Sequence, residues 1–535
     1  MNPKTHFLWK SRRILPLIGL ILLLPLTLSA QDKGLDEIIN DAFMPFALSW
    51  EAFIFTPIPI GPFSIPIVLI LLVFGACLFT VYFSFANLRL FPLALRVVRG
   101  KYDEIERVDP EHPEKESEAG EVNHFQALTT AVSGTVGLGN IAMVAVAISI
   151  GGPGATFWMI LAGLLGMSSK FVECTLGVKY RDIDKEGKVY GGPMYYLSRG
   201  LKAQGRAGVG KVLSVLFALL CVGASFGGGN AFQTNQAAAQ LIQRFDLGGE
   251  AIGTLIGIIF AILVGIVIIG GIKRIAKVTE KVVPFMAALY VLAALFVLIV
   301  NASLVDDAFA LIIQEAFTPQ ATITGGFIGV ILQGFRRAAF SNEAGAGSAA
   351  IAHSAVQTHY PASEGLVALL EPFIDTVIIC TMTALVIIIF NMDSAFVYGD
   401  VVNNQAALIE TGERIGGVNL TSMAFDAAIP GFSYVLAFAV VLFAFSTILS
   451  WAYYGSQAWA FLFGRGKRAD LVYKSIFLLF TVLGSAVTLD AVIKFSDAMI
   501  LALVFPNMIG LLFLFPQVKG ELNKYLKLIE GAKKA

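Results

Sequence analysis

Ser133-Gly134-Thr135-Val136-Gly137-Leu138-Gly139-Asn140 interrupts an apolar run that otherwise reads as one membrane span over residues 124–148. Glycine in a helix interior is unfavourable by about 0.5–1 kcal/mol relative to alanine, so the glycines let the backbone unwind and offer its amides and carbonyls as ligands. Inside a bilayer such backbone is tolerated only where it is buried in protein or lines a cavity, which makes the break a binding-site candidate. A second stretch, Ser341-Asn342-Glu343-Ala344-Gly345-Ala346-Gly347-Ser348-Ala349-Ala350, starts 208 positions later and repeats the serine, two glycines and a polar residue after them. Two broken spans in corresponding halves point to a secondary transporter built from inverted repeats, with its site where the breaks meet. The competing reading is that small residues merely let helices pack closely.

The rest of the chain supports a membrane setting. Of 535 residues, 56% are hydrophobic and only 14% charged, which fits a polytopic membrane protein and leaves no room for a large soluble domain. The formal net charge is zero, so nothing suggests a nucleic-acid partner. Cys77, Cys174, Cys221 and Cys380 all lie in apolar stretches without CxxC spacing, which indicates neither a disulfide framework nor a zinc site.

Lys4, Lys10, Arg12 and Arg13, the apolar run Ile14 to Leu28 and the small pair Ser29-Ala30 form a signal-peptide pattern over residues 1–30, cleaved after Ala30 or retained as an anchor. An extra span follows near 65–87. Ten more are expected at 124–148, 155–177, 212–242, 251–271, 282–300, 322–354 (broken), 364–390, 431–463, 471–487 and 495–516. This parity puts 27 Lys and Arg of the mature chain on the cytoplasmic side and only Lys33, Arg244, Arg414 and Lys494 outside, as the positive-inside rule requires. Residues 31–123 then hold an external segment, the extra span and a cytoplasmic connector. A first five-helix repeat occupies 124–300, a second 301–516, and 517–535 is a cytoplasmic tail. Because five is odd, the two repeats must be inverted relative to one another.

The first break, the run Gly151-Gly152-Pro153-Gly154-Ala155-Thr156-Phe157-Trp158-Met159 and Phe340-Ser341-Asn342-Glu343-Ala344-Gly345 resemble the sodium:alanine/glycine symporter family, within the amino acid-polyamine-cation superfamily. The likeness covers about residues 65–520. Span 1 also resembles the leucine-transporter fold at its own break. That resemblance implies an all-α polytopic protein with spans 1–5 and 6–10 as inverted repeats, spans 1 and 6 broken, and the extra N-terminal span as an addition. Departures from the family include Leu138, where it often has threonine, and Met143, where it often has glycine. Bulk at these positions reshapes a pocket.

The outer half of span 1 points free amides and a positive dipole end into its break, a place suited to a carboxylate. The resemblance puts a substrate carboxylate at the amides of Leu138 and Gly139, and a sodium ion beside it at the Thr135 carbonyl and the Asn140 side chain. Asn140 as a simple helix cap is the other reading. At the second break the carbonyls of Phe340, Ser341 and Glu343 can accept from a substrate ammonium, with the Phe340 ring lining the pocket and the Ser341 hydroxyl joining the ion shell. Glu343 either does this or satisfies amides of the unwound segment.

Asn230 and Gln233, three apart in span 3, share a helical face that either lines the pocket or glues helices together. In the leucine-transporter fold, hydroxyls of span 8 meet carbonyls of span 1, here at Ser133 and Val136; Thr447 and Ser450 are both candidates for this second ion site. Each can equally bond back to its own helix. Arg336, Arg337, Glu173, Glu343, Glu371 and Asp375 are expected to form a structural ion-pair network.

No HExxH, GxSxG or P-loop occurs, so neither an enzyme nor ATP-driven transport is indicated. The expected function is sodium-coupled import of alanine or glycine by alternating access across a bacterial inner membrane, with the C-terminus cytoplasmic. No cofactor is expected beyond sodium as coupling ion, and the partners are the neutral amino acid, sodium and membrane lipid. A proton-coupled or uncoupled carrier and a transporter-like sensor are the alternatives.

Overall fold

The structure, a computed structural model, describes residues 34–108, 120–318 and 326–534. The expected signal segment over residues 1–30 lies outside them. A helix not foreseen from the sequence comes first. This helix, α1 (Leu35–Ile54), packs across the helices at 467–486 and 489–502. Asp36 near its start accepts from the Thr254 hydroxyl at 2.6 Å, and Asn40 accepts from the Thr488 hydroxyl at 2.8 Å. A hairpin of β1 (Pro57–Ile60) and β2 (Phe63–Pro66) leads into the extra span α2 (Ile67–Tyr82). Pro57 and Pro59 lack the amide donors a helix needs, which favours extended backbone there.

Helix α3 (His124–Thr135) starts on a capping box, in which the Asn123 side chain accepts from the Gln126 amide and the Gln126 side chain accepts from the Asn123 amide. It stops at Thr135. A π-helical turn over Gly139–Met143 and α4 (Val144–Gly151) complete the span, bent by 48° at the break. Gly152, at φ +66°, and Pro153 turn the chain into α5 (Gly154–Lys179). Beyond the hairpin β3 (Asp182–Ile183) and β4 (Val189–Tyr190) and a second π segment, Tyr196–Gly200, α6 (Ala207–Phe226) runs through a third, Gly227–Ala231, into α7 (Phe232–Phe245). Next come α8 (Ile252–Ile268), α9 (Gly271–Val300) and α10 (Ala302–Phe317).

The second broken span comprises α11 (Gly326–Asn342), an unwound stretch 343–348, and α12 (Ala349–His353). In the unwound stretch Gly345 and Gly347 have φ of +93° and +86°, and Glu343 is also left-handed at +54°. The following span holds α13 (Pro361–Ala368), a fourth π segment, Phe373–Cys380, and α14 (Thr381–Asn391). A small antiparallel sheet, β5 (Phe396–Val402), β6 (Gln405–Leu408) and β7 (Arg414–Ile415), precedes α15 (Val418–Ala428). The chain closes with α16 (Phe432–Phe463), α17 (Lys467–Ala486), α18 (Leu489–Ala502) and α19 (Val504–Lys534). Helices α17 and α18 are the pair under α1.

Among the described residues, seven helices are long and apolar enough to cross a bilayer, with the bent pair α3–α4 an eighth and α2 and α8 apolar but shorter. The spans are all-helical, because backbone at membrane depth must satisfy its own hydrogen bonds, and the strands are confined to connections. Both breaks lie inside this bundle. Segments 124–148 and 338–356 are buried almost throughout, between α5 on one side and α16 on the other. The outward faces of α8 and α9 expose Ile262, Ile266, Leu292 and Ile299, as a surface that meets lipid rather than water does. Sidedness is checked by single cysteines in a cysteine-free background. Asp307→Cys and Glu413→Cys should react with an impermeant maleimide from outside, and Gly187→Cys only after permeabilisation.

Candidate functional site

The two breaks meet at one buried polar cluster. The Asn140 amide donates to the Ser341 hydroxyl at 3.0 Å and to Asp375 Oδ1 at 2.6 Å. Ser341 and Thr376 in turn donate to Asp375 Oδ2 at 2.8 and 2.7 Å. One carboxylate therefore gathers three donors from the first break, the second break and the span after it. Asn140, Ser341 and Asp375 are all 2% exposed or less. The Asn140 oxygen accepts from the Gly137 amide at 2.9 Å, so this side chain caps the outer half-helix and also reaches across to the second break. The Ser341 hydroxyl and the Asp375 carboxylate bring hard oxygens together here, of the kind a sodium ion takes as ligands.

Beside this cluster the Leu138 amide, one of the two expected to meet a substrate carboxylate, donates to Gln233 Oε1 at 3.0 Å. The Gln233 amide is anchored through its nitrogen to the Gly228 carbonyl at 2.9 Å. The other amide belongs to Gly139, where an added Cβ would lie 3.6 Å from the Phe340 ring. That ring also packs edge-on against Phe232, with centroids 5.2 Å apart, so Phe340 covers the first break. Asn230 is elsewhere: its side chain donates to the Phe477 carbonyl at 2.7 Å, tying the π segment Gly227–Ala231 to α17. Met143 points its sulfur at the Arg337 guanidinium, 3.1 Å away.

The other face of the first break meets α16. Ser133 donates to the Ser446 carbonyl at 2.7 Å, and Ser450 donates to the Thr130 carbonyl at 2.8 Å. Thr447 is placed differently. Its hydroxyl is buried without a hydrogen-bond partner and fills the space that a Cβ on Gly137 would need. The structure thus brings Thr447 to the break, beside the buried Val136, and takes Ser450 one turn back along α3. Thr135 bonds its hydroxyl back to the Ala131 and Val132 carbonyls, both at 3.4 Å. The Trp451 indole spans both breaks, donating to the Gly134 carbonyl at 3.3 Å and to Glu343 Oε1 at 3.1 Å, and Ser348 donates to the other Glu343 oxygen.

The expected single ion-pair network resolves into separate groups. Arg336 and Arg337 both pair with Asp497 of α18, at 2.9 and 2.5 Å, and Arg336 also reaches Glu51 of α1 at 2.8 Å. Glu371 pairs instead with Lys170 of α5 at 3.0 Å. From there a buried chain continues through His353, Glu364 and His124 to Glu106. Each ring nitrogen of His124 faces a carboxylate oxygen, so this chain holds one proton more than a neutral imidazole supplies. Asp497 and Lys170 escaped the sequence reading because their partners lie far along the chain, 160 positions from Asp497 to Arg337 and 201 from Lys170 to Glu371. Asp375 was legible as an intramembrane acid but not as the hub of the site.

Residues 59–535 match the sodium:alanine symporter family. The sodium/alanine symporter AgcS of Methanococcus maripaludis is 37% identical over 462 residues, covering 86% of this chain and 94% of that protein. The probable sodium/glutamine symporter GlnT of Bacillus subtilis is 31% identical, covering 86% of this chain and 88% of its own length. Among solved structures, MhsT in complex with L-phenylalanine superposes with a TM-score of 0.50 at 17% identity, over 75% of this chain and 99% of that one, a likeness of fold. A fold with twin broken spans and a family match over nearly the whole length agree, and the chain belongs to the sodium:alanine symporter family, as a multi-pass membrane transporter.

Proposed function

We propose that the protein imports a small neutral amino acid, alanine or glycine, across the bacterial inner membrane, driven by sodium. The observation that carries this reading is the Asn140–Ser341–Asp375 cluster, in which both broken spans place oxygen-bearing side chains around one carboxylate. Sodium would bind there between the Asp375 carboxylate, the Ser341 hydroxyl and the Asn140 side-chain oxygen. The unpartnered Thr447 hydroxyl, with backbone of Ser133 and Val136, offers a second position. The amino acid's carboxylate would take the Leu138 amide from Gln233 and lie against Gly139, with its ammonium toward the carbonyls of Phe340, Ser341 and Glu343. Phe340 then covers a small apolar side chain, and Met143 limits the space beyond it.

Binding of ion and substrate to both halves of two broken helices favours one closed arrangement, and that differential affinity couples their movements. The test is uptake of labelled alanine into proteoliposomes. An inward sodium gradient at equal pH should drive accumulation at least tenfold above equilibration, whereas a proton gradient without sodium should not. Accumulation with the proton gradient alone would overturn sodium coupling.

A further inference from the structure

A cavity of about 380 Å³ opens at the face that the basic residues mark as cytoplasmic, between the start of α9, the end of α16 and the start of α17. No residue of the transport site lines it. Five cations do, Lys188, Lys273, Arg465, Lys467 and Lys474, against two acids, Glu121 and Asp470. The charges are unevenly spent. Lys474 pairs with Asp470 at 2.7 Å. Arg465 pairs with Asp182 at 2.5 Å and stacks over the Tyr190 ring at 3.6 Å, and the contacts with Arg465 and Arg199 hold the Asp182 carboxyl below its usual range. Burial pushes the Glu121 carboxyl up, against the opposing pull of the Lys273 and Lys188 charges. Lys273 and Lys467 form no ion pair among the described residues.

Those two lysines sit in the first turns of α9 and α17, helices of 30 and 20 residues whose starts at Gly270 and Gly466 carry no side-chain cap. Free amides and two positive dipole ends therefore converge where the unpaired lysines stand. Two further groups in the wall lack partners: the Trp459 indole N–H is buried without an acceptor, and Gln457, only 3% exposed, has its amide oxygen unmatched. A ligand that fits must bring anionic oxygens to the lysines and amides, and a hydroxyl donor to Gln457.

The rim shows where such a ligand comes from. Ile269 lines the cavity with 72% of its surface exposed, and Phe463 and Leu471, next in sequence to the lining residues Gly464 and Asp470, are 50% and 61% exposed, so the three continue the apolar hull of α8, α16 and α17. A molecule whose head occupies the cavity would lay its tails along this hull. Basic pockets between membrane helices at the cytoplasmic interface suit lipid headgroups on these grounds. The geometry points to a site for an anionic phospholipid with a hydroxyl-bearing headgroup, its phosphate held by Lys273, Lys467 and the two helix starts. Such a lipid would pin α9 to α17.

The experiment uses purified full-length protein in detergent, with dioleoyl phosphatidylglycerol, dioleoyl phosphatidylcholine or glycerol 3-phosphate added. Native mass spectrometry counts retained lipid, and thermal unfolding reports its effect. Phosphatidylglycerol should be retained and raise the melting temperature, phosphatidylcholine should do neither, and the Lys273→Gln/Lys467→Gln variant should bind phosphatidylglycerol at least fivefold more weakly while keeping alanine uptake. Should that variant fail to fold, Trp459→Phe removes only the buried indole donor and should weaken binding about threefold. Retention of phosphatidylglycerol by the variants at the parent's level overturns the site. Equal stabilisation by glycerol 3-phosphate assigns the cavity to a soluble phosphate and overturns the lipid reading.

Discussion

In Asp375→Ala, sodium-dependent uptake should fall about a hundredfold at low sodium, with the sodium concentration for half-maximal uptake rising by a similar factor. Asp375 receives hydrogen bonds from Asn140, Ser341 and Thr376, at 2.6, 2.8 and 2.7 Å. Bonds to a charged group contribute roughly 1.5–3 kcal/mol each. Loss of the one anionic ligand from the proposed ion shell should weaken sodium binding by about 3 kcal/mol, which corresponds to a factor near 10². Asp375→Asn keeps much of the geometry without the charge and should fall between parent and alanine variant. Uptake measured across a sodium series decides the matter: an unchanged half-saturation in Asp375→Ala rules out a sodium role at this position.

The second large effect is on stability. Asp497→Leu removes the carboxylate shared by Arg336 and Arg337 and leaves Arg337, only 2% exposed, without a counter-charge. Uncompensated burial of this kind costs about 3–5 kcal/mol. Glu51 rescues only Arg336, so the melting temperature in detergent should drop by several degrees or the protein should fail to accumulate. Changing both partners, as Arg337→Met with Asp497→Leu, should recover most of that loss because an apolar pair of similar size needs no counter-ion. If the double variant is no more stable than Asp497→Leu, the pair is not what holds α11 to α18.

Both breaks were legible in the sequence as glycines and small polar residues set in apolar runs, and the meeting of Asn140 with Ser341 followed from the family resemblance. What misled was helical periodicity. Glu371 and Asp375 are four apart and should share a face. The π segment Phe373–Cys380 begins between them, and an inserted residue turns the downstream part of the helix by about 100° around the axis. Glu371 therefore meets Lys170 while Asp375 meets Asn140. Asn230 and Gln233 separate for the same reason, at the π segment Gly227–Ala231: one bonds α17, the other the Leu138 amide. π turns carry no plain sequence signature, and here they adjoin the site. The helix α1 was missed for another reason. Its 20 residues include the acids Asp36, Glu37, Asp41 and Glu51 and so do not read as a span, and its contacts with Arg336, Thr254 and Thr488 join positions far apart in the chain.

Glu343 holds a left-handed backbone, at φ +54°, between spans where glycine takes that conformation freely. For a residue with a Cβ this costs about 1–3 kcal/mol, and its carboxylate is buried as well, held by Trp451 and Ser348. On both counts the fold alone would be better served by glycine. A search for heat-resistant descendants of this protein, run without asking them to transport, should therefore discard this glutamate early, whereas a search that demands growth on the imported amino acid should keep it. On the proposed function, durability and work pull this codon in opposite directions.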